Sequence, residues 1–264
     1  VKWLNKPTKE KLIGFFYRIS CLVILFAMTL TIFYNHARIE SSQSTEDFIF
    51  PYDAFAKVQI SVVLEREING YKQTAEFSSV GSGAVIDIVD EHSIVLTANH
   101  VCDPFQAGMP VPADAVKVKD TYIEITGYFG GVYHAEILYS DIDYDLCLLK
   151  VEGTWAVPLA IANGPTNPGD RVYNMAAPTG FFSPGMVPLF EGFDSGNLGP
   201  LGYQDTIYTI PTKGGSSGSP VLNSEGEVIG VIHSAIGGVE NIAIACTWEE
   251  LESFIFRYKL IFKN

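Results

Sequence analysis

Hydrophobic and polar positions divide the chain into three textures. Residues 12–34, LIGFFYRISCLVILFAMTLTIFY, are apolar apart from Arg18. Residues 39–47, IESSQSTED, are short and polar, the composition of a linker. From Phe48 onward, short runs rich in Val, Ile, Tyr and Thr are bounded by Gly, Pro, Asn and Asp. This pattern predicts strands over 58–64, 83–88, 94–97, 116–126, 132–138, 146–151, 172–176, 206–210, 220–222, 228–232 and 242–245. Only the stretch 248–258 has helical spacing, with Trp248, Leu251, Phe254, Ile255 and Tyr258 at intervals of three and four. Many short strands and one terminal helix predict an all-β barrel or sandwich. A body of about 215 residues suffices for two small barrels. The Pro/Gly-rich segment NGPTNPGD, residues 163–170, is the natural connection between them.

The apolar run 12–34 has the length of a membrane span once its flanks are included. Arg18 lies near its start, where a long side chain reaches the headgroups. Lys2, Lys6, Lys9, Lys11 and Arg18 all precede the uncharged stretch, so the positive-inside rule places the N-terminus in the cytoplasm. Everything beyond residue 38 is then extracytoplasmic. A cleaved signal peptide, releasing a secreted body, is the competing expectation. Asn35-His36-Ala37 is a poor cleavage site and the basic segment is long, so an uncleaved single-pass anchor is preferred. The expected organisation is a cytoplasmic stub and anchor over 1–38, a linker over 39–47 and a body over 48–264. Within that body the first barrel covers about 48–160 and the second about 170–264.

Charge sharpens this division. Residues 1–38 carry six basic side chains and one acid, which leaves 11 basic against 29 acidic side chains in the rest, a net of −18. A body so acidic repels phosphate backbones, which excludes nucleic acid as a partner. Of the four cysteines, Cys21 lies in the apolar run and Cys102, Cys147 and Cys246 in the body. Their spacing suggests neither a disulfide framework nor a zinc site, and three allow at most one internal bridge. Cys147 lies inside the apolar stretch 146–151 and is expected to be buried and reduced.

Three segments carry chemistry. In KGGSSGSPVL, residues 213–222, small residues supply the tight turn that exposes a nucleophilic hydroxyl. Ser217 is the candidate nucleophile, and the N–H groups of Gly215 and Ser217 are candidate donors to an oxyanion. The segment runs directly into an apolar strand, which a flexible linker would not do. A serine needs a base. His100 sits where the strand ending in LTA gives way to a loop, a place where functional side chains concentrate. His92 lies in a charged turn and reads as surface; His134 lies in an alternating strand and reads as structural. The base needs an acid to fix its tautomer. Asp145 immediately precedes the apolar run 146–151, where a carboxylate is costly without a partner.

These segments resemble those of the trypsin-like serine proteases. TANHVC resembles the family's TAAHC, DYDLCLLKV its aspartate segment, and GGSSGSPV its nucleophile segment. The order His100, Asp145, Ser217 also matches, with spacings of 45 and 72 residues. The resemblance covers roughly residues 50–260. It implies two six-stranded antiparallel β-barrels, a His-Asp-Ser triad, a protein or peptide substrate and no metal or organic cofactor. GSSGSPVLNSEGEVIGVIHSA, residues 215–235, looks most like glutamyl endopeptidases and HtrA-type proteases. HtrA-type members carry a PDZ domain after the protease, and none is expected within this sequence. Asn99 replaces the usual Ala, and Ser219 the second Gly. Cys102 falls one residue late with no cysteine upstream, so the usual histidine-loop disulfide is not expected. No Ile-Val-Gly-Gly-like start is visible near 48–58, which suggests that no zymogen cleavage is needed.

The resemblance puts the floor of the specificity pocket at Pro211 and Thr212 and one wall over 231–235. Pro211 brings no charge, which argues against Arg or Lys at the position preceding the cleaved bond. Thr212 matches a glutamyl endopeptidase threonine, but His233 falls one residue beyond that family's histidine, where Ile232 stands. A one-residue offset on a strand turns a side chain to the other face, so His233 lines the pocket only if a bulge shifts it. Ser234 belongs to the same wall. A neutral, small-to-medium side chain is the expected preference, with an acidic residue or Gln second.

Three rival readings are weaker. Gly214–Gly218 fits a lipase or esterase elbow with Ser216 as nucleophile, but no Asp follows it and β/α alternation is missing. A catalytically inactive protease fold that binds partners at the membrane would not need all three motif residues. An acidic membrane-anchored structural protein would leave the motifs to coincidence.

Overall fold

Apolar side chains at every second position build the first sheet. Along β1 (Phe55–Ile68), Ala56, Val58, Ile60, Val62 and Leu64 are buried while Lys57, Gln59, Ser61 and Glu65 are partly exposed. The computed structural model describes residues 26–29, 48–68, 71–103, 105, 115–199 and 205–263. Most of the span expected at 12–34 lies outside them. Its residues 26–29 are helical and exposed, and among the described residues no helix is long and apolar enough to cross a membrane. The chain forms two units, Val1–Phe48 and Ile49–Asn264.

Unit Ile49–Asn264 holds two closed six-stranded antiparallel barrels. The first contains β1, β2 (Tyr71–Val89), β3 (His92–Ala98), β4 (Ala115–Gly127), β5 (Val132–Asp141) and β6 (Leu146–Glu152). Its strands are ordered β1-β2-β3-β6-β5-β4. A one-turn helix, α1 (Asn99–Cys102), follows β3. The second barrel contains β7 (Arg171–Met175), β8 (Leu189–Asn197), β9 (Thr206–Tyr208), β10 (Pro220–Leu222), β11 (Val228–Ala235) and β12 (Ala243–Ala245). Their order is β10-β11-β12-β9-β8-β7. Val58, Ile60, Val85, Val95, Leu149 and Val151 pack inside the first barrel; Val172, Tyr208, Val221, Ile229 and Ile232 pack inside the second.

Each expected strand overlaps an observed one, and β8 is the strand the pattern does not reveal. Its sequence, LFEGFDSGN, is interrupted by Gly192 and Gly196. A Cβ on Gly192 would strike the Thr209 carbonyl, so close approach to the neighbouring strand, rather than hydrophobic alternation, selects this residue.

Cys147 is buried as expected but not reduced: it is bonded to Cys102. Pairing of β3 with β6 sets Thr97 opposite Cys147. The turn α1 then brings Cys102 to a Cα–Cα distance of 6.6 Å. A sequence separation of 45 residues hides this proximity. In the chain-entropy account a loop of this size stabilises by about 4 kcal/mol. Cys246 is buried as a free thiol.

The terminal helix α2 (Trp248–Phe262) opens with a capping box in which the Glu250 N–H donates to Thr247 Oγ1 and the Thr247 N–H to Glu250. Its buried residues are Leu251, Phe254, Ile255 and Tyr258. Phe254 stacks on Tyr139, Arg257 pairs with Asp141 at 2.8 Å, and the Tyr258 hydroxyl donates to Asp87. Trp248 donates its indole N–H to Ala162. A helix that follows the second barrel thus clasps the first. Thr247→Ala removes the cap and is expected to cost about 1 kcal/mol, read as a lower urea midpoint at unchanged slope. An unchanged midpoint would show that the cap contributes nothing.

Candidate active site

Antiparallel pairing of β3 and β6 sets Ala98 opposite Leu146. The residues just beyond this last pair are Asn99 and His100 on one side and Asp145 on the other. Asp145 is gripped there from three directions. Its carbonyl accepts the Asn99 N–H at 3.0 Å. Oδ1 accepts the His100 backbone N–H at 2.8 Å, and Oδ2 lies 2.7 Å from His100 Nδ1. A carboxylate only accepts, so Nδ1 carries the ring proton and Nε2 is left as an acceptor. Both side chains remain about a third exposed, at 30% and 27%. Asp145 holds a left-handed backbone, φ 50°, which is uncommon outside glycine. The Asn99 side chain is buried with no partner for either amide atom. Such a group costs about 1–3 kcal/mol.

Ser217 lies between β9 and β10, in a loop built by local hydrogen bonds. The Ser216 N–H donates to Lys213, the Ser219 N–H to Ser216 and the Gly218 N–H to Ile232. Asn174 fixes the far end by donating to Ser219 Oγ and to the Pro220 carbonyl. Gly215 and Gly218 both have positive φ, 94° and 86°. A Cβ on Gly218 would strike Thr97 Oγ1 and the Ser82 carbonyl, so only glycine lets the loop press against β2 and β3.

Ser82 joins this loop to the first barrel. Its N–H donates to the Ser217 carbonyl at 2.8 Å and its hydroxyl donates to the Gly215 carbonyl at 2.8 Å. The same hydroxyl accepts the Ala177 N–H, and the Ser82 carbonyl accepts the Thr97 hydroxyl. A Cβ on neighbouring Gly81 would lie within 2.7 Å of Val101 and 3.0 Å of the Ser217 carbonyl, so the turn bearing His100 and the Ser217 loop converge there. The Gly214 carbonyl accepts the Thr179 N–H at 2.5 Å. In a trans peptide this turns the Gly215 N–H the opposite way. Among the described residues neither the Gly215 nor the Ser217 N–H donates to a protein acceptor. Both are free donors beside Ser217.

The site is not fully connected in this state. His100 and Asp145 are joined directly, whereas the Ser217 hydroxyl points to the His233 carbonyl at 3.5 Å. Hydrogen bonds of this kind are often long before substrate arrives. Beside Ser217 lies a cleft of about 480 Å³ lined by Thr212, Lys213, Ser234, Ala235, Ile236 and the segment 237–240. Of the residues singled out for the pocket, Thr212 and Ser234 therefore line it. Ile232 is fully buried inside the second barrel, and Pro211 is partly exposed outside the cleft lining. A bulge does occur between Ile232 and Ser234, but the His233 ring bonds Asp205 at 3.2 Å and the Ser234 hydroxyl at 3.1 Å. Among the described residues no three His, Cys, Asp or Glu side chains form a metal-binding group.

Sequence patterns did not single out Ser82, Thr179 or the cleft residues 236–240, whereas Ala235 lies in the wall expected over 231–235. The available signal for Ser82 was its place between Gly81 and Gly83, where side chains are excluded on both sides. Ser82→Ala strands the buried Ala177 N–H and Gly215 carbonyl. It is expected to lower stability by about 1–3 kcal/mol in urea denaturation. A midpoint equal to wild type would remove Ser82 as the junction.

The chain has relatives at low identity. The chain is 24% identical over 215 residues to a putative protease Do-like 14 of Arabidopsis thaliana, covering 78% of this chain and 47% of that protein. It is 29% identical over 170 residues to a glutamyl endopeptidase of Staphylococcus epidermidis, covering 61% and 55%. It is 28% identical over 181 residues to a probable periplasmic DegP-like serine endoprotease of Marinomonas sp. (strain MWYL1), covering 66% and 34%. The chain thus spans about half or less of the length of these relatives. The fold matches a serine endoprotease from Yersinia pestis, with a TM-score of 0.55 at 20% identity over 78% of this chain and 63% of that one. It also matches an inactive serine-to-alanine mutant of Rv3671c from M. tuberculosis H37Rv, with a TM-score of 0.53 at 17% identity over 78% and 87%. The trypsin-like peptidase domain matches residues 81–231, more than half of the chain and including His100, Asp145 and Ser217, and the chain belongs to that family.

Proposed function

We propose that the chain is a serine endopeptidase whose catalytic triad is His100, Asp145 and Ser217. The observation that carries this reading is the Asp145 carboxylate, which binds both the ring and the backbone N–H of His100 at 2.7 and 2.8 Å beside the Ser217 loop. His100 Nε2 takes the Ser217 proton as the hydroxyl attacks a peptide carbonyl. Asp145 holds the tautomer and stabilises the imidazolium. The free N–H groups of Gly215 and Ser217 receive the negative charge that develops on the carbonyl oxygen. His100 then protonates the leaving amine, and water hydrolyses the acyl-enzyme by the same steps in reverse. No metal or organic cofactor enters this sequence of steps.

The substrate is a protein or peptide with a neutral, small-to-medium residue before the cleaved bond. Thr212, Ser234 and Ala235 are uncharged, the charges that Lys213 and Glu240 bring to the cleft are of opposite sign, and the His233 ring is engaged by Asp205. The apolar run 12–34 anchors the chain as a single-pass membrane protein with its protease body extracytoplasmic. The Cys102–Cys147 bridge supports that side, because oxidising compartments retain disulfides.

Incubation of the full chain with a peptide library, followed by mass spectrometry of new termini, tests this function. Wild type and Ser216→Ala are expected to cleave, while Ser217→Ala falls by at least about a thousandfold. Cleavage that survives Ser217→Ala removes this nucleophile. A folded wild type that cuts nothing favours the inactive binding module instead.

A further inference from the structure

His100 and Asp145 are 45 residues apart, and so are Cys102 and Cys147. The disulfide therefore repeats the His100–Asp145 contact two residues further along both segments. The segments that carry His100 and Asp145 are weak by themselves. The helix α1 has only four residues, far below the length at which a helix holds together unaided. Asp145 sits in a left-handed conformation, and Asn99 buries an amide without partners. Such features persist only where the surroundings over-determine them. Cys147 belongs to β6, which pairs with β3 on one side and β5 on the other, so it is a rigid anchor. Cys102 is the last residue of α1.

Resting on the protease reading above, we propose that Cys102 and Cys147 are positioning residues: their covalent bond holds the His100 ring in register with the Asp145 carboxylate. Reduction breaks one S–S bond. A dithiol gives two electrons and two protons, becomes a disulfide itself, and leaves two cysteine thiols. Both sulfurs are buried, but Cys102 lines a surface cleft of about 540 Å³ with Ile60, Val62, Phe105 and Ile137, which gives a reductant a route after modest opening. Cys246 does not compete in exchange, because burial pushes its thiol up to about 12. Once the bond is open, α1 is tied to Asp145 by hydrogen bonds alone, and these no longer prevent it from swinging off β6 and breaking the ring contact.

The test uses the full chain labelled with ¹⁵N-histidine, with dithiothreitol as reductant and oxidised glutathione as oxidant. Two quantities are followed: the His100 ring Nδ1–H resonance, assigned by its loss in His100→Gln, and the rate of Ser217 modification by a fluorophosphonate. On release of the two thiols, circular dichroism is expected to stay unchanged, the ring resonance to disappear and the rate to fall about tenfold to a hundredfold. Reoxidation restores both. The double variant Cys102→Ala/Cys147→Val, which refills the core without the bond, is expected to stay folded, lack the resonance and ignore both reagents. A reduced protein or a folded double variant that keeps the resonance and the wild-type rate overturns the proposal. Failure of the oxidised wild type to react with the fluorophosphonate counts against the protease reading alone, since the ring resonance still reports the clamp.

Discussion

Asp145 accepts hydrogen bonds from the backbone of Asn99, the backbone of His100 and the His100 ring. Those bonds hold only because β3 and β6 are paired in a register that ends at Ala98 and Leu146. A slip of one residue would face every side chain of β6 the wrong way. It would turn Cys147, Leu149 and Val151 out of the core of the first barrel and move Asp145 out of reach of α1. Core packing of the first barrel and the chemistry at its edge are thus fixed by the same register.

The second constraint is the junction between barrels. Ser82 is fully buried, and it satisfies four polar groups from Thr97, Ala177, Gly215 and Ser217. Buried polar groups are tolerated where every member finds a partner, and a junction of this kind specifies one arrangement. Glycines at 81, 215 and 218 allow the approach by removing side chains that would collide. The outcome is that the Gly215 and Ser217 carbonyls are bound by Ser82 of the first barrel, while among the described residues their N–H groups have no protein acceptor. The α2 helix reinforces the junction from the outside by linking Ala162 at one end to Asp87 and Asp141 further along.

Much of this was legible in the sequence because the physics is local. Short apolar or β-branched runs marked β1 and β6, and helical spacing marked α2. The three motif segments named His100, Asp145 and Ser217, since each needs a distinctive local setting: a strand exit, a carboxylate before an apolar run, a glycine-rich turn. What stayed hidden depends on contacts distant in sequence. β8 owes its glycines to a neighbouring strand, Ser82 owes its role to residues about 95 and 133 positions away, and Cys147 meets Cys102 only once two strands pair. His233 shows the limit of register arguments. The bulge that would carry its side chain towards the cleft is present, yet the ring is held by Asp205, a partner no periodicity announces.

An activated Ser217 is the central claim, and a mapped covalent adduct tests it most directly. The full chain would be treated with diisopropyl fluorophosphonate and digested, and the modified residue identified by tandem mass spectrometry. The account predicts one stoichiometric adduct on Ser217, abolished in His100→Ala and in denatured protein. Modification of Ser216 instead, or a folded wild type that takes up no reagent, would contradict it.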